Sequence, residues 1–267
     1  MKNSEKNFQP KKEKTKINSV TNALMILDIL GRNSKGMLIK ELSIELKFNL
    51  STTYHLVNTL IESDYIQKVN NERYILGSKI PFLNNSFLQS IGPTYNLSSY
   101  LEILSQRTGE TAYLGIEHNS QVLIQDIFES PQAVRVRSLH LGYNEHPHAR
   151  ALPKSIMAFW PEEKVIQFFE GRDMEKLTEN TPNNIDQLLM ELKDIRRDGY
   201  SLDEESFIPG ISCVAAPVFG AQGKVAASLC VTVPSERYRN KSDVLIDSVC
   251  TIAEEASKSL GFKLYTI

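Results

Sequence analysis

Three consecutive hydroxyl side chains, Ser51, Thr52 and Thr53, open a stretch in which Tyr54, Val57, Leu60 and Ile61 recur at helical spacing. Hydroxyls and unpaired backbone N–H groups at the start of a helix suit phosphate oxygens and base edges. His55 and Asn58 fall on the outer face of the same helix, and an Asn carboxamide can pair with the edge of an adenine. Arg73 follows the turn Asn70-Asn71, within reach of a backbone phosphate or the minor groove. With Tyr54 beside the hydroxyls, the candidate DNA-contacting set is Ser51, Thr52, Thr53, Tyr54, His55, Asn58 and Arg73.

Other residues are of types that belong to catalysis. His140, His146, His148, Cys213 and Asp203 are ingredients of a Cys-His hydrolase or a metal site. Their spacing speaks against both. His146-Pro147-His148 has no Cys-x-x-Cys or His-Glu-x-x-His partner, and the chain has no Gly-x-Ser-x-Gly elbow, Walker loop or Gly-x-Gly-x-x-Gly. A cysteine such as Cys213, followed by Val214-Ala215-Ala216, reads as an inert core residue on an apolar strand. The expectation is a protein that is not an enzyme and uses no metal or cofactor.

The elements that must position the hydroxyls are legible from periodicity. Val20, Leu24, Ile26, Leu27 and Leu30 form a first helix, capped by Asn18 or Ser19 and ended by Gly31. A second helix spans 39–46 with Leu42 and Leu46 on one face, and a third begins after the break 47–50, with Ser51 as its N-cap. Strands at 64–69 and 73–77 flank the Asn70-Asn71 turn. Three short helices and a hairpin make a winged helix-turn-helix, in which the second helix braces the third for the major groove.

The rest of the chain supplies a connector and a larger body. Pro81 and Gly92-Pro93 divide the connector into helical pieces at 82–90 and 94–108. Its apolar residues Phe82, Leu83, Phe87, Leu88 and Ile91 must pack on the core or on a partner subunit. Strands are expected at 111–118, 121–128, 133–136, 211–219 and 224–233, and helices at 149–159, 161–170, 185–197 and 242–260. The fold class is α+β, with domains at 17–79 (helix-turn-helix motif 38–57) and 94–265, a linker helix at 80–93, and a disordered basic arm at 1–16.

Composition agrees with that division. The 267 residues are 41% hydrophobic and 23% charged, an ordinary globular balance with room for two domains. The net charge of −2 conceals an asymmetry: residues 1–80 carry 13 Lys/Arg against 8 Asp/Glu, and residues 81–267 carry 17 against 24. A basic module on an acidic body suits phosphate contact at one end. Three cysteines and the absence of a signal-peptide pattern imply a reducing cytoplasm, and no apolar run approaches the length of a membrane span.

Taken in order, several blocks resemble the IclR-type family of bacterial transcription regulators. They are SVTNALMIL at 19–27, LIKELSIELKFNLSTTYHLV at 38–57, RYILG at 73–77, IRRDGY at 195–200, DEE at 203–205, GISCVAAPV at 210–218 and GKVAA at 223–227. The resemblance implies a GAF-like α/β C-terminal domain that binds a small effector, often an organic acid. It implies a repressor that forms homodimers or homotetramers on a palindromic double-stranded operator. The effector positions it implies are Ala151, Leu152, Asp203, Cys213, Cys230 and Thr232, and the start of a helix near Ala151 offers N–H groups to a carboxylate. The chain departs from relatives in three places. Pro153 replaces a common Gly and removes an N–H donor, and His55 replaces a common Arg. Arg150 stands where a small residue is usual and has two readings, a bidentate carboxylate partner that joins the set or a surface arginine. A C-terminal domain that serves assembly alone is the other reading.

Overall fold

The computed structural model describes residues 17–69, 72–90, 97–130 and 139–263. The basic arm at 1–16, the strand at 133–136 and the turn residues Asn70 and Asn71 lie outside those described residues. The chain divides into two compact units, residues 1–90 and 91–267.

In the first unit, α1 (Asn18–Arg32), α2 (Ile39–Leu46) and α3 (Leu50–Glu62) pack around one core. Each helix contributes residues one or two turns apart: Ile26 and Leu30, Leu42 and Leu46, Val57 and Leu60. Strands β1 (Ile66–Lys68) and β2 (Tyr74–Leu76) pair antiparallel, and Met37 extends the ladder through a two-way backbone exchange with Tyr74. The strands are shorter than their expected spans. Asp64 takes a left-handed turn, and at Gly77 a Cβ would lie 2.2 Å from the Asp64 carbonyl oxygen, so the chain closes there on glycine. Helix α4 (Lys79–Ser90) ends the unit. It starts before Pro81 rather than after it, because a proline in the first turn lacks only an N–H that the helix leaves unbonded.

The second unit holds α5 (Ser98–Thr108), β3 (Thr111–His118), β4 (Gln121–Phe128), α6 (Ala151–Met157), α7 (Glu162–Phe169) and α8 (Ile185–Asp198). After them come β5 (Ser201–Glu204), β6 (Ile211–Phe219), β7 (Val225–Pro234) and α9 (Ser235–Ser259). The last helix is two pieces joined at Lys241, whose backbone is not helical, so the expected helix at 242–260 is its second piece. β5 was not foreseen, because four residues are too few to show alternation. The five strands form one antiparallel sheet in the order β4-β3-β7-β6-β5. Helices α5 and α9 pack on the sheet from one layer, and α6, backed by α8, packs on it from another.

Register decides what faces α6. Thr111, Thr232, Cys213 and Asp203 lie in one cross-strand row, and Tyr113, Cys230, Ala215 and Ser201 in the next on the same face. Helix α6 lies close against this face. Ser155 Oγ donates to Ser228 Oγ at 2.6 Å, and a Cβ on Gly115, opposite Ser228, would fall 2.1 Å from Leu152 Cδ2. The lack of a side chain at Gly115 therefore sets the distance from helix to sheet. Gly115→Ala is expected to lower unfolding stability by about 1–3 kcal/mol, the usual penalty of overpacking. Chemical denaturation would measure it against Gly220→Ala, whose Cβ meets only an ordinary contact at 3.7 Å.

Candidate nucleic-acid interface and ligand cavity

The face of α3 begins with its cap. Asn49, in extended backbone, accepts the Thr52 N–H through Oδ1 at 2.7 Å, so the helix starts at Leu50 and not after Ser51. Lys47, in left-handed backbone, ends α2 and makes the tight turn between the two helices. Ser51, Thr52 and His55 are exposed, and Asn58 is half-buried. Tyr54 also faces water, 51% exposed, although its spacing placed it in the inward stripe. Thr53 is the residue that points inward. It is fully buried, and its hydroxyl donates to the Asn49 carbonyl at 3.0 Å, which removes it from the contact set.

Arg73 also differs from expectation. Its Nη1 donates to the Gly36 carbonyl at 2.7 Å and to Glu41 Oε2 at 3.2 Å, and the same carboxylate oxygen accepts the Leu38 N–H that opens α2. The guanidinium thus ties the hairpin to the start of α2 and is a brace before it is a phosphate ligand. Nothing in the local sequence signals this, because the partners lie 32 and 37 residues away.

In the second unit, Arg150, Ala151, Leu152, Asp203, Cys213, Cys230 and Thr232 all line one cavity, whose free space of about 20 Å³ has room for a single water. Among the described residues, Tyr113, Ile124, Leu139 and Phe207 line it as well. Sequence reasoning missed these four. Tyr113 shares a sheet row with Cys230, a signal that appears only once strand pairing is known, and Leu139 and Phe207 come from connections without periodicity.

Arg150 immediately precedes α6 and is 4% exposed. Its guanidinium lies 4.6 Å from the centre of the Tyr143 ring, while Nε and Nη2 have no hydrogen-bond partner among the described residues. Burial lowers its pKa from 12.5 to about 10, so it remains a cation at neutral pH. Asp203, 1% exposed, accepts the N–H groups of Ser206 at 2.7 Å and Phe207 at 3.2 Å on Oδ1. Burial outweighs these bonds and the nearby Lys154 and Arg150, and raises its pKa from 3.8 to about 6. The Lys154 ammonium is engaged with Glu191 at 2.8 Å and does not line the cavity. Pro153 sits in the first turn of α6, where its missing N–H breaks no helical bond.

Of the residues read as catalytic ingredients, Asp203 and Cys213 are cross-strand neighbours in the cavity wall, and His146 meets His148 edge to face. Among the described residues no hydrogen bond joins a histidine to Cys213. Cys213 Sγ meets Thr232 Oγ1 at 3.3 Å, and hydrogen bonding to Cys230 together with burial pushes its thiol well up, away from a nucleophilic thiolate. His148 Nε2 bonds the Glu175 carbonyl at 3.0 Å, and His140 Nδ1 the Leu141 carbonyl at 2.8 Å. Among the described residues, no group of three His, Cys, Asp or Glu side chains is arranged to hold a metal ion. A larger open groove beside α8 carries Glu191, Asp194, Asp198 and Glu204, a lining that repels anions.

The raised pKa of Asp203 makes a prediction about stability. Its folded form holds a proton more tightly than the unfolded chain, so its contribution is complete below pH 3.8 and is lost as pH rises to about 6. Asp203→Asn removes that loss. Relative to the parent, the variant should gain stability as pH rises from 4 to 6, measured by denaturant unfolding at each pH. A difference independent of pH would contradict the shift.

Comparison with known proteins follows this geometry. The family model described as "Bacterial transcriptional regulator IclR C-terminal" matches residues 87–258, and the IclR helix-turn-helix domain model matches residues 19–70. The chain is 29% identical over 257 residues to the HTH-type transcriptional regulator KdgR of Escherichia coli K12, covering 95% of this chain and 97% of that one. The crystal structure of the Thermotoga maritima IclR matches with a TM-score of 0.76 at 26% identity, covering 92% of this chain and 99% of that one. An IclR homologue from Microbacterium hydrocarbonoxydans, crystallised with 4-hydroxybenzoate, matches with a TM-score of 0.73 over 91% of this chain and 98% of that one. At 15% identity that last likeness is one of fold alone. In the described residues no helix is long and apolar enough to cross a membrane.

Proposed function

The chain belongs to the IclR family of bacterial transcriptional regulators and carries its helix-turn-helix DNA-binding domain, and on that premise we propose a cytoplasmic repressor whose operator affinity is set by a small organic acid bound around Arg150. The carrying observation is the pair of unpartnered donors. Nε and Nη2 lie on one edge of the planar guanidinium, at the spacing of the two oxygens of a carboxylate. A cation 4% exposed with two such donors is stabilised by an anion that completes its hydrogen bonds. The homologue crystallised with 4-hydroxybenzoate gives a precedent for an organic acid in a related fold.

On DNA, α3 enters the major groove with Ser51, Thr52, Tyr54, His55 and Asn58 on its outer side. The one acidic residue of α3 is Glu62 at its C-terminal end, so the N-terminal turns that carry the hydroxyls hold no group that repels phosphate. Two copies act together on a palindromic operator. Val20, Leu24 and Met25 on α1 are more than 40% exposed, an apolar stripe suited to pairing with a second subunit. Ligand and operator are then coupled by the difference in ligand affinity between two arrangements of the dimer, typically about 1–3 kcal/mol.

Fluorescence anisotropy with a duplex selected from genomic fragments tests both halves. Ser51→Ala with Tyr54→Ala should weaken duplex binding about tenfold or more, with ligand-induced thermal stabilisation unchanged. Arg150→Gln should leave duplex binding in place and abolish its response to ligand. A variant in which both responses fall together would contradict the division of labour. No stabilisation of the full-length protein by any organic acid, with duplex binding intact, would instead leave the second unit an assembly domain.

A further inference from the structure

The side chains on the outer side of α3 also restrict which bases the helix reads. We propose that the operator presents A·T pairs to α3, with the adenine edge taken by Asn58 and the thymine methyl by Tyr54 and Leu50, and that α3 makes no paired contact to guanine. This rests on the reading of α3 as the helix that enters the major groove.

The inventory of donors leads to A·T. In the major groove guanine shows two acceptors, N7 and O6, and the side chains that meet both are Arg and Lys. Helix α3 has neither. Arg73 is held by Gly36 and Glu41, and Lys47 lies before α3, in the turn that ends α2. The two nitrogens of the His55 ring point in different directions, so it meets one acceptor at a time, and N7 is an atom that adenine and guanine share. Adenine shows an acceptor at N7 and a donor at N6. The carboxamide of Asn58 carries the matching donor and acceptor.

The apolar side chains point the same way. Leu50, Tyr54 and Asn58 follow at i, i+4 and i+8, one row along the helix, with Ser51 and His55 in the row beside it. Leu50 is 46% exposed and Tyr54 51%, so the start of this row offers alkyl and ring surface. Of the four bases, thymine alone carries a methyl group into the major groove. Glu62, whose carboxylate suits the amino group of cytosine, lies roughly 16 Å along the axis from Ser51, whereas base contacts come from the N-terminal turns.

Duplexes selected from a random library by the full-length protein test this, with binding read by fluorescence anisotropy at one fixed salt concentration. The selected sites should share a block of A·T pairs. Deoxyuridine in place of a thymine in that block removes only the methyl, and should weaken the parent about fourfold and leave Tyr54→Ala unaffected. At one adenine, 7-deazaadenine should weaken the parent about fivefold or more and leave Asn58→Ala unaffected. The analogues change the DNA and not the protein, so the losses in the parent count whether or not a variant folds. Diaminopurine at the same adenine keeps the major-groove pattern of A·T and adds a minor-groove amino group, and should bind as adenine does. A loss there as large as with G·C would place the specificity in groove shape and overturn the proposal. So would indifference of the parent to both uracil and 7-deazaadenine, or a guanine whose 7-deaza analogue weakens the parent and leaves His55→Ala or Ser51→Ala unaffected. Enrichment of no sequence from the library would overturn the reading of α3 itself.

Discussion

Taking a guanidinium out of water removes hydration that the protein must replace, and around Arg150 the replacement is incomplete. The Tyr143 ring offers its face at 4.6 Å, and burial pulls the pKa down to about 10, yet two N–H donors find no partner among the described residues. A charge is held in such a place only if the surroundings cannot collapse around it or let it swing into water. The close seat of α6 on the sheet provides that rigidity. It depends on Gly115 for space and on the Ser155–Ser228 hydrogen bond for attachment. The helix that carries the pocket loop, the sheet that forms its floor and the charge they enclose are therefore one mechanical unit. A ligand that completes the hydrogen bonds of Arg150 acts on all of it.

The DNA-binding unit uses an opposite arrangement of charge. Its α3 has no Lys or Arg, so the helix does not supply the long-range attraction to phosphate. The positive charge of the first 80 residues lies elsewhere in that stretch, on Lys and Arg outside α3. The one arginine on the hairpin side is committed to internal work, bracing β2 against the start of α2 through Gly36 and Glu41.

Helical periodicity was informative in the first unit because each helix there is amphipathic and packs on one core. Ile26, Leu30, Leu42, Leu46 and Val57 could be placed inside by spacing alone. Errors arose where local competition is decided by geometry. Asn49 and Ser51 are both good caps, and the backbone turn at Lys47 brings Asn49 into position. Tyr54 and Thr53 are neighbours, and Thr53 lies inward because Thr53, Val57 and Leu60 follow the i, i+4, i+7 spacing of one helix face. Pro81 ends no helix, since it lies in the first turn of one. In the second unit the members of the cavity were grouped by family resemblance. Only the pair Cys230 and Thr232 shares a face by alternation.

The sequence by itself determined most element types within the described residues, the split between a basic first module and an acidic body, and the family, because periodicity, charge and ordered motifs are local properties of the chain. The tertiary structure alone decided which side chains meet. Asp203 and Thr232 lie 29 positions apart, and each comes beside Cys213 only through the register of β5, β6 and β7. Burial changes their chemistry in turn. An arginine is a cation in any sequence, but it becomes an unsatisfied one when a ring, a helix and a sheet close around it.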